Sequence, residues 1–442
     1  MYATQTLAEY AASFRNTDLS ADVVHYAKRA VIDWYAAVFP GLACPVVAML
    51  ENTLVEDLDR GDARLVGGRQ STSRAAALIN GAAAHAAEID DSFRDAMYHP
   101  GAATIAAALA AGQQTRANGQ TFLRGVVLGY EVSTRIGMVL GRSHYRYWHN
   151  TGTVGTFGAA AAAAAILGLD RKAYAHALAT AATFAAGLQQ AFRLDSMSKP
   201  LHAGRAAEAG VLAAILAQQG VTGSLDVLDG ESGLGCAMAD GPDWTHIGAT
   251  LGRDFHIKRL TFKNHIGCGH TFAAIDGALA LRQRHGLVAS DIAAVRIATY
   301  QPALDIACHD SPATANEARF SFPYVVASAL IHGSVRLAAY DPRRLQDPRM
   351  RALMGRVTVA VDPDIDRAFP GQRSARVEIT MADGRCFEHV QPNRKGDPEE
   401  PLTDLELHDK FMELSSPAIG TNNARALLAR LCGIENAAAL DW

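Results

Sequence analysis

Helical periodicity dominates the first half of this chain and constrains its fold more than any other feature. From Leu7 to about Gly220, alanine, leucine, glutamate and arginine recur at a spacing of about 3.6 residues, with glycine and proline between the segments. The block Gly158–Leu169, GAAAAAAAILGL, is the most extreme case. Small side chains let helices approach closely, so we expect this block to form a buried helix packed on its neighbours.

The pattern changes near residue 256. Later segments are rich in β-branched residues and alternate in polarity, which is typical of sheet strands; they are Ala293–Tyr300, Arg356–Asp362 and Ala375–Val390. The last of these contains Asp383-Gly384, which predicts a hairpin turn. Helical segments lie between the strands, and the helical pattern returns after the polar, proline-rich stretch Pro392–Asp404.

The helical pattern of the first part and the strand-rich pattern of the second predict a mostly α protein with a second α+β domain. We assign residues 1–255 to a large all-helical domain and residues 256–395 to a smaller, inserted α/β domain. The helical tail, residues 396–442, is too short to fold alone, so we expect it to pack back onto the first domain and complete it. A chain of 442 residues exceeds the usual size of a single core, which agrees with two domains.

Charge and cysteine usage exclude several classes of partner. The net charge is −4 and no basic run stands out, so neither a nucleic acid nor a membrane surface is an expected partner. The six cysteines lie far apart without CxxC pairing, as reduced thiols do. The N-terminus lacks the basic and apolar regions of a secretory signal. We therefore expect a soluble, cytoplasmic protein.

The segment His85–Thr104 gathers carboxylates around an imidazole. Glu88, Asp90, Asp91 and Asp95 precede His99, and Pro100-Gly101 then interrupts the pattern before another alanine-rich helix. Carboxylate and imidazole groups near a helix break suit proton transfer, because neighbouring groups can tune their pKa values. A solvated polar turn explains the spacing equally well.

The segment Ser196–Gly210 carries Lys199, His202 and Arg205 in the first turns of a predicted helix, at its positive end. A solvated basic face is one explanation of this pattern. The alanine-rich flanks favour burial instead, and buried cations require an anion, so we predict a site for an anionic ligand. His149 adjoins another helix start and is a second candidate anion contact, although its glycine neighbours match no nucleotide-binding fingerprint.

Two later segments carry further candidates. Phe262–Leu279 contains Lys263, His265, Cys268 and His270, a spacing that could contribute to a zinc site. No fourth ligand or recognised metal motif supports it, so we predict no metal. Tyr324 lies in an apolar run typical of a core, where its hydroxyl group would need a partner. Together, these cations, imidazoles and carboxylates suit the binding and deprotonation of a small polycarboxylate, without a cofactor.

With these blocks in order, the chain resembles the MmgE/PrpD family, which includes 2-methylcitrate dehydratase, cis-aconitate decarboxylase and iminodisuccinate epimerase. The blocks are EIDDSF...HPGA, GYEVSTRIG, WHNTGTVGTFGAAAAAAAILGL, SMSKPLHAGRAAEAG, CGHTFAAID, ARFSFPY and GDPEEPL. The resemblance implies an all-helical domain built from both chain ends, an inserted α/β domain, an active site between them without metal, and a homodimer.

Matched motif by motif, the resemblance implies active-site residues, of which we assign four to catalysis: Asp91, His99, Lys199 and Tyr324. The substrate-binding residues that we expect are His149, His202, Arg205, Cys268 and His270. The sequence departs from the family at Phe272, where a histidine is common.

These residues predict a cofactor-independent lyase that removes a proton α to a carboxylate of a small di- or tricarboxylate, with dehydration of the 2-methylcitrate type expected first. Lys199 and His149 would hold carboxylates, while His99, oriented by Asp91, would move a proton. Tyr324 would protonate a leaving group or intermediate. Decarboxylation and epimerisation share the early step and stay open, as does a non-catalytic carboxylate-binding homologue.

Overall fold

Helices account for most of the chain, as the periodicity predicts. The structure is a computed structural model that describes residues 1–15, 17–192, 196–369 and 371–441. It divides into two compact units, Met1–Thr261 with Thr403–Trp442 and Phe262–Leu402. The prediction of a mostly α protein with a smaller α+β part is confirmed.

The first part of the first unit contains ten helices and one short hairpin within the described residues. In chain order these are α1 (Ala3–Phe14), α2 (Ala21–Leu42), α3 (Pro45–Thr53), β1 (Leu58–Arg64), β2 (Gln70–Ser71), α4 (Ser73–Ala86), α5 (Pro100–Thr115), α6 (Gly119–Tyr145), α7 (Asn150–Ile166), α8 (Arg171–Phe184), α9 (Ser198–Gln218) and α10 (Leu234–Met238).

Helix α7 shows why small residues are needed in this unit. It is buried along almost its whole length, and a Cβ atom added to Gly158 would lie 2.5 Å from Oγ1 of Thr104 and 2.9 Å from Oγ of Ser133. Neither distance is possible for a real side chain, so only glycine allows α5 and α6 to approach α7 so closely. The predicted buried helix at Gly158–Leu169 is confirmed, ending at Ile166.

The second unit combines short helices with a four-stranded sheet. Its elements are α11 (Phe272–His285), β3 (Ile292–Thr299), α12 (Gln301–Ile306), α13 (Ala315–Ala318), α14 (Phe322–His332), α15 (Pro342–Leu345), α16 (Pro348–Met354), β4 (Val357–Val361), α17 (Pro363–Ala368), β5 (Ala375–Met381) and β6 (Cys386–Gln391). The strand order is β4-β3-β5-β6, with β3 parallel to β4 and antiparallel to β5.

The predicted hairpin is formed by β5 and β6. Alternate residues of β5, among them Val377 and Ile379, are buried, because successive side chains of a strand point to opposite faces. Gly384 in the turn has a φ of 85°, a conformation that costs glycine little.

The C-terminal segment completes the first unit with α18 (Asp404–Ile419) and α19 (Thr421–Cys432), both of which pack against α2. Nζ of Lys410 on α18 lies 2.6 Å from Oδ1 of Asp33 on α2, and both side chains are inaccessible to solvent. The same ammonium group donates to the carbonyl oxygen of Ile89 at 3.0 Å. The tail therefore holds the main chain immediately before Asp90 and Asp91.

Among the described residues, no single helix has the length and apolar character needed to cross a membrane. Helices α2 and α3 have the necessary length and apolar character only when they are taken together, and the chain bends by 83° between them.

Candidate active site

Four helix ends meet at one place in the first unit. Helix α4 ends at Ala86, α5 begins after His99, α7 begins after His149, and α9 begins at Ser198. Helix α9 packs against α4, α5 and α7. This arrangement brings together four imidazoles, which we call the histidine cluster: His85, His99, His149 and His202.

His85 is the member of the histidine cluster with a fully buried side chain. Its Nδ1 atom is 2.7 Å from Oδ2 of Asp90, and both side chains are buried. The centre of the His85 ring is 4.9 Å from that of His99 and 5.5 Å from that of His149. The His85 and His149 rings are inclined by 28° and therefore stack.

The hydrogen bond of His99 identifies the ring nitrogen that is available for chemistry. Its Nδ1 atom lies 2.6 Å from the carbonyl oxygen of Asp91. A carbonyl oxygen only accepts, so we infer that Nδ1 of His99 carries the hydrogen. In the neutral ring, Nε2 then has the lone pair and can accept a proton. The His99 side chain is 19% exposed, unlike the fully buried side chain of His85.

Asp91 contacts His99 through its main chain, while its carboxyl group binds two other residues. Oδ2 of Asp91 accepts from the Tyr130 hydroxyl at 2.7 Å, and Oδ1 accepts from the Gly101 N–H at 3.0 Å. Burial raises the pKa of Asp91 to about 8, although both hydrogen bonds oppose that shift. The carboxyl group therefore anchors the first turn of α5, which begins immediately after His99.

His149 and His202 form a close pair, with 3.0 Å between their Nδ1 atoms. Burial lowers the pKa of both rings, and the neighbouring charges of His85 and Lys199 lower both further. Both are therefore neutral near pH 7. His202, which the sequence grouped with Lys199 and Arg205 as a potential cation, is therefore a neutral ring here. A neutral imidazole has one N–H, so within this pair the ring with its hydrogen on Nε2 is the one that can donate to a carboxylate.

Lys199 faces a carboxylate already. Its ammonium group forms an ion pair with Glu88, and the two side chains are 24% and 30% exposed. Glu88 has a φ of 60°, which is uncommon for a residue other than glycine. The sequence predicted that buried cations here need an anion, and the structure shows that the protein supplies one.

Arg205 does not join this group. Its guanidinium pairs with Glu208 at 2.7 Å on the same helix, and its side chain is 54% exposed. Residues three apart on a helix are rotated by about 300°, so successive members of the basic series drift around the helix axis. His202 belongs to the histidine cluster and Lys199 lies near it, whereas the structure does not bring Arg205 to it.

The other predicted site residues lie in the second unit. Tyr324 is fully buried and donates its hydroxyl to the carbonyl oxygen of Ala339; burial raises the pKa of Tyr324 to about 12. Cys268 is buried in the loop before α11. Nδ1 of His270 lies 2.9 Å from the Tyr300 hydroxyl, and burial, aided by two arginines, lowers the pKa of His270 to about 3. Their roles with substrate stay predictions.

The structure also tests whether these residues suit a metal. A metal site needs at least three histidine, cysteine, aspartate or glutamate side chains close together. Within the described residues, one group has its ligand atoms all within 4.8 Å of one another: His85, Asp90 and His99. Two ligands about 2.1 Å from a tetrahedral zinc ion would lie about 3.4 Å apart. The 2.7 Å between His85 and Asp90 is instead a hydrogen-bond distance. The group fits a hydrogen-bonded pair better than a metal site.

Sequence reasoning did not select His85 or Tyr130. His85 carried a usable signal, because a histidine in an alanine-rich, buried helix needs a polar partner and Asp90 follows five residues later. Tyr130 belongs to the block GYEVSTRIG, but nothing in the sequence links it to Asp91, since the two lie 39 residues apart and meet only through the packing of α6.

The fold and the site together define a class: proteins with a large helical unit bearing a histidine–carboxylate site and a smaller α+β unit. The chain belongs to the MmgE/PrpD family, since the MmgE/PrpD N-terminal domain matches residues 5–247 and the MmgE/PrpD C-terminal domain matches residues 265–432.

Several proteins with known names are similar to this chain. The cis-aconitate decarboxylase of Homo sapiens is 28% identical over 372 residues, covering 82% of this chain and 76% of the relative. A cis-aconitate decarboxylase-like protein of Aspergillus oryzae is 26% identical and covers 98% of this chain and 95% of the relative. The 2-methylcitrate dehydratase of Cupriavidus necator is 36% identical over 121 residues, 26% of this chain and 24% of the relative. These findings support an enzyme of the lyase type.

Proposed function

We propose that this protein is a cofactor-independent lyase that acts on a small di- or tricarboxylate through a carbanion next to a carboxylate. Decarboxylation of a cis-aconitate-like acid is the first candidate, because relatives that cover most of the chain carry that name. Dehydration of a 2-methylcitrate-like acid, which the sequence analysis placed first, is the second candidate and is supported by the shorter match.

The observation that carries this proposal is the meeting of three helix N-termini at the histidine cluster. Each N-terminus bears a partial positive charge, so the starts of α5, α7 and α9 favour negative charge at one place. Lys199, in the first turn of α9, adds the full charge of an ammonium group. A polycarboxylate, and the further negative charge that builds up as its carbanion forms, would be stabilised there.

Each residue has its own role in the proposed reaction. Lys199 binds a substrate carboxylate in exchange for Glu88, and the ring of the His149–His202 pair that carries its hydrogen on Nε2 donates a hydrogen bond.

Nε2 of His99 moves the proton. In decarboxylation, loss of CO₂ leaves an electron pair on carbon. His99, which takes a proton from solvent at Nε2 before the reaction, supplies that proton to the carbon and returns to its neutral form. In dehydration, His99 removes the α proton, the electron pair left on carbon forms the new double bond as the C–O bond breaks, and the hydroxyl group leaves as water with a proton from Tyr324 or from protonated His99; exchange with solvent restores the donor.

Tyr324 stays a candidate proton donor in this proposal. Its hydroxyl hydrogen is engaged with the carbonyl oxygen of Ala339, so donation to an intermediate would require that hydrogen bond to break. The raised pKa of Tyr324 keeps the hydroxyl protonated at neutral pH, as a general acid must be.

The test is incubation of the purified protein with cis-aconitate, citrate, 2-methylcitrate and iminodisuccinate in D₂O, followed by NMR. We expect loss of CO₂ or water, with deuterium incorporated next to a carboxylate. Lys199→Ala should lower turnover by about 10²- to 10³-fold. Lys172→Ala, at an exposed lysine on α8, is the matched control and should keep full turnover.

Two results would overturn the proposal. One is full turnover of every acid by Lys199→Ala. The other is a rise in melting temperature with these acids but no deuterium exchange, which would indicate a carboxylate-binding protein without chemistry.

A further inference from the structure

We infer that His85 and Asp90 form a hydrogen-bonded pair that positions His99 and His149, the two histidines that begin α5 and α7. His85 and Asp90 are positioning residues, since both lie behind the exposed edge of the histidine cluster. The inference rests on the proposed function for its kinetic test, and a second test below is independent of activity.

Asp90 contacts two imidazoles through one oxygen atom: it accepts a hydrogen bond from His85 and is a nearby charge for His99, whose Nδ1 hydrogen is donated to the carbonyl oxygen of Asp91. Oδ2 of Asp90 lies 2.7 Å from Nδ1 of His85 and 3.5 Å from Nδ1 of His99. The Asp90 side chain is only 2% exposed, so its contacts are made with protein groups rather than with bulk water. A buried carboxylate that accepts from a ring N–H fixes both the tautomer and the orientation of that ring.

His85 transmits this orientation to the rest of the cluster. Its ring lies against His99 and stacks on His149, with centroid distances of 4.9 Å and 5.5 Å. A rotation of the His85 ring would therefore displace the two rings that begin α5 and α7. Close-packed interiors leave little space for such a displacement to be absorbed elsewhere.

The second ring nitrogen of His85 also argues for a role beyond packing. Nε2 is buried and, within the described residues, has no hydrogen-bond partner. A phenylalanine would fill the same space without the cost of burying an unpaired nitrogen. The imidazole is therefore explained by its bond to Asp90, which only a ring with an Nδ1 hydrogen can make.

The kinetic test uses two substitutions of His85 and one of Asp90. The amide nitrogen of asparagine can replace Nδ1, whereas that of glutamine lies nearer the position of Nε2. We expect Asp90→Asn and His85→Gln to lower kcat by about 10- to 100-fold with little change in KM, and His85→Asn to keep more of kcat than His85→Gln. Asp95→Asn is the control, because Asp95 is a half-exposed aspartate of the same loop paired with Arg259.

A purely structural role predicts a different outcome. The two His85 variants would then lose stability and activity to the same extent, and Asp90→Asn would leave kcat unchanged in the folded fraction. Either result would overturn the inference.

The second test needs no substrate. In protein labelled with ¹⁵N-histidine, the Nδ1 hydrogens of His85 and His99 should both give resonances that shift in Asp90→Asn and stay in place in Asp95→Asn. Unchanged resonances in Asp90→Asn would overturn the inference. If the wild-type protein turned over none of the acids, the proposed function would fail, while this measurement would still decide the role of the pair.

Discussion

The Nδ1 atoms of His149 and His202 lie 3.0 Å apart, one ring at the start of α7 and the other in the second turn of α9. This contact is a hydrogen bond only if one nitrogen carries a hydrogen and the other does not. Protonation of both rings would place two donors face to face in a buried position. The contact therefore exists only while at least one of the two rings is neutral.

The first prediction is that acid destabilises the protein. Four histidines of the first unit have their pKa lowered by burial: His144, His149, His202 and His256. In the unfolded chain they titrate near their ordinary pKa of about 6.5, so the unfolded state binds more protons below that pH. The free energy of unfolding should therefore fall as the pH drops from about 7 towards the folded pKa values, which reach about 3 for His256.

Two buried carboxyl groups act in the opposite direction. Burial raises the pKa of Asp91 to about 8 and that of Glu131 to about 7, so the folded state retains their protons where the unfolded state has lost them. The four histidines outnumber them, so we expect a net loss of stability in acid. Urea unfolding at a series of pH values measures it, and His202→Gln should flatten the curve. A free energy of unfolding that rises on acidification would contradict this reasoning.

The second prediction concerns the close approach of α7 to the segment that follows α8. A Cβ atom on Gly152 would overlap the carbonyl oxygen of Ala186 and lie 3.2 Å from Cβ of His202. Gly152→Ala should therefore push the start of α7 away from Ala186, with a loss of about 1–3 kcal/mol and a weaker contact between His149 and His202. Thermal unfolding and turnover measure the two effects.

Gly155→Ala is the matched control on the same helix. Its added Cβ would come no closer than 3.2 Å to a side-chain atom, Cβ of Ala103. The higher helix propensity of alanine then offsets the mild crowding, and we expect nearly unchanged stability. Equal effects of the two substitutions would show that the approach at Gly152 is not limiting.

The third prediction is that the C-terminal tail stabilises the active-site loop through Lys410. Lys410→Met leaves the buried carboxylate of Asp33 without its ammonium neighbour and removes the bond to the carbonyl oxygen of Ile89. We expect a loss of about 3–5 kcal/mol in the free energy of unfolding, measured with urea. Lys258→Met is the control, since the ion pair of Lys258 with Asp22 lies in solvent and should contribute little. Similar losses for both variants would refute the assignment.

The fourth prediction concerns Glu88, which competes with substrate for Lys199 in the proposed function. Glu88→Gln removes the competing charge, so KM for a polycarboxylate should fall by about twofold to fivefold, equivalent to about 0.4–1 kcal/mol. Steady-state kinetics of the variant measure this. Glu208→Gln, at the partner of Arg205, is the control and should leave KM unchanged. A higher KM in Glu88→Gln would show instead that Glu88 orients Lys199 for binding.

Much of this molecule could be predicted from local sequence. The buried helix at Gly158–Leu169 and the hairpin around Asp383-Gly384 follow from periodicity and turn chemistry, which involve residues a few positions apart. Motifs in a constant order also identify the family. The segments holding His99, His149 and Lys199 were selected as candidate sites for the same reason: each has unusual residues next to a predicted helix start.

The contacts of those side chains could not be predicted in the same way. The sequence predicted that Asp91 orients His99 without specifying the atom; its carbonyl oxygen contacts His99, while its carboxyl group binds Tyr130 and Gly101. Arg205 shares the spacing of the basic series, yet it pairs with Glu208. Spacing places a residue on an element without specifying which atom of a distant residue it will meet.

The sequence by itself determined the helices and strands of this protein, its helical and strand-rich parts and its family, because hydrogen bonding and hydrophobic periodicity within a helix or strand are short-range. Only the tertiary structure decided the charge of the site. His149 meets His202 across 53 residues of chain, and Lys199 meets Glu88 across 111. Burial and neighbouring charge set the protonation of an imidazole or carboxyl group, and both arise only when distant segments pack together.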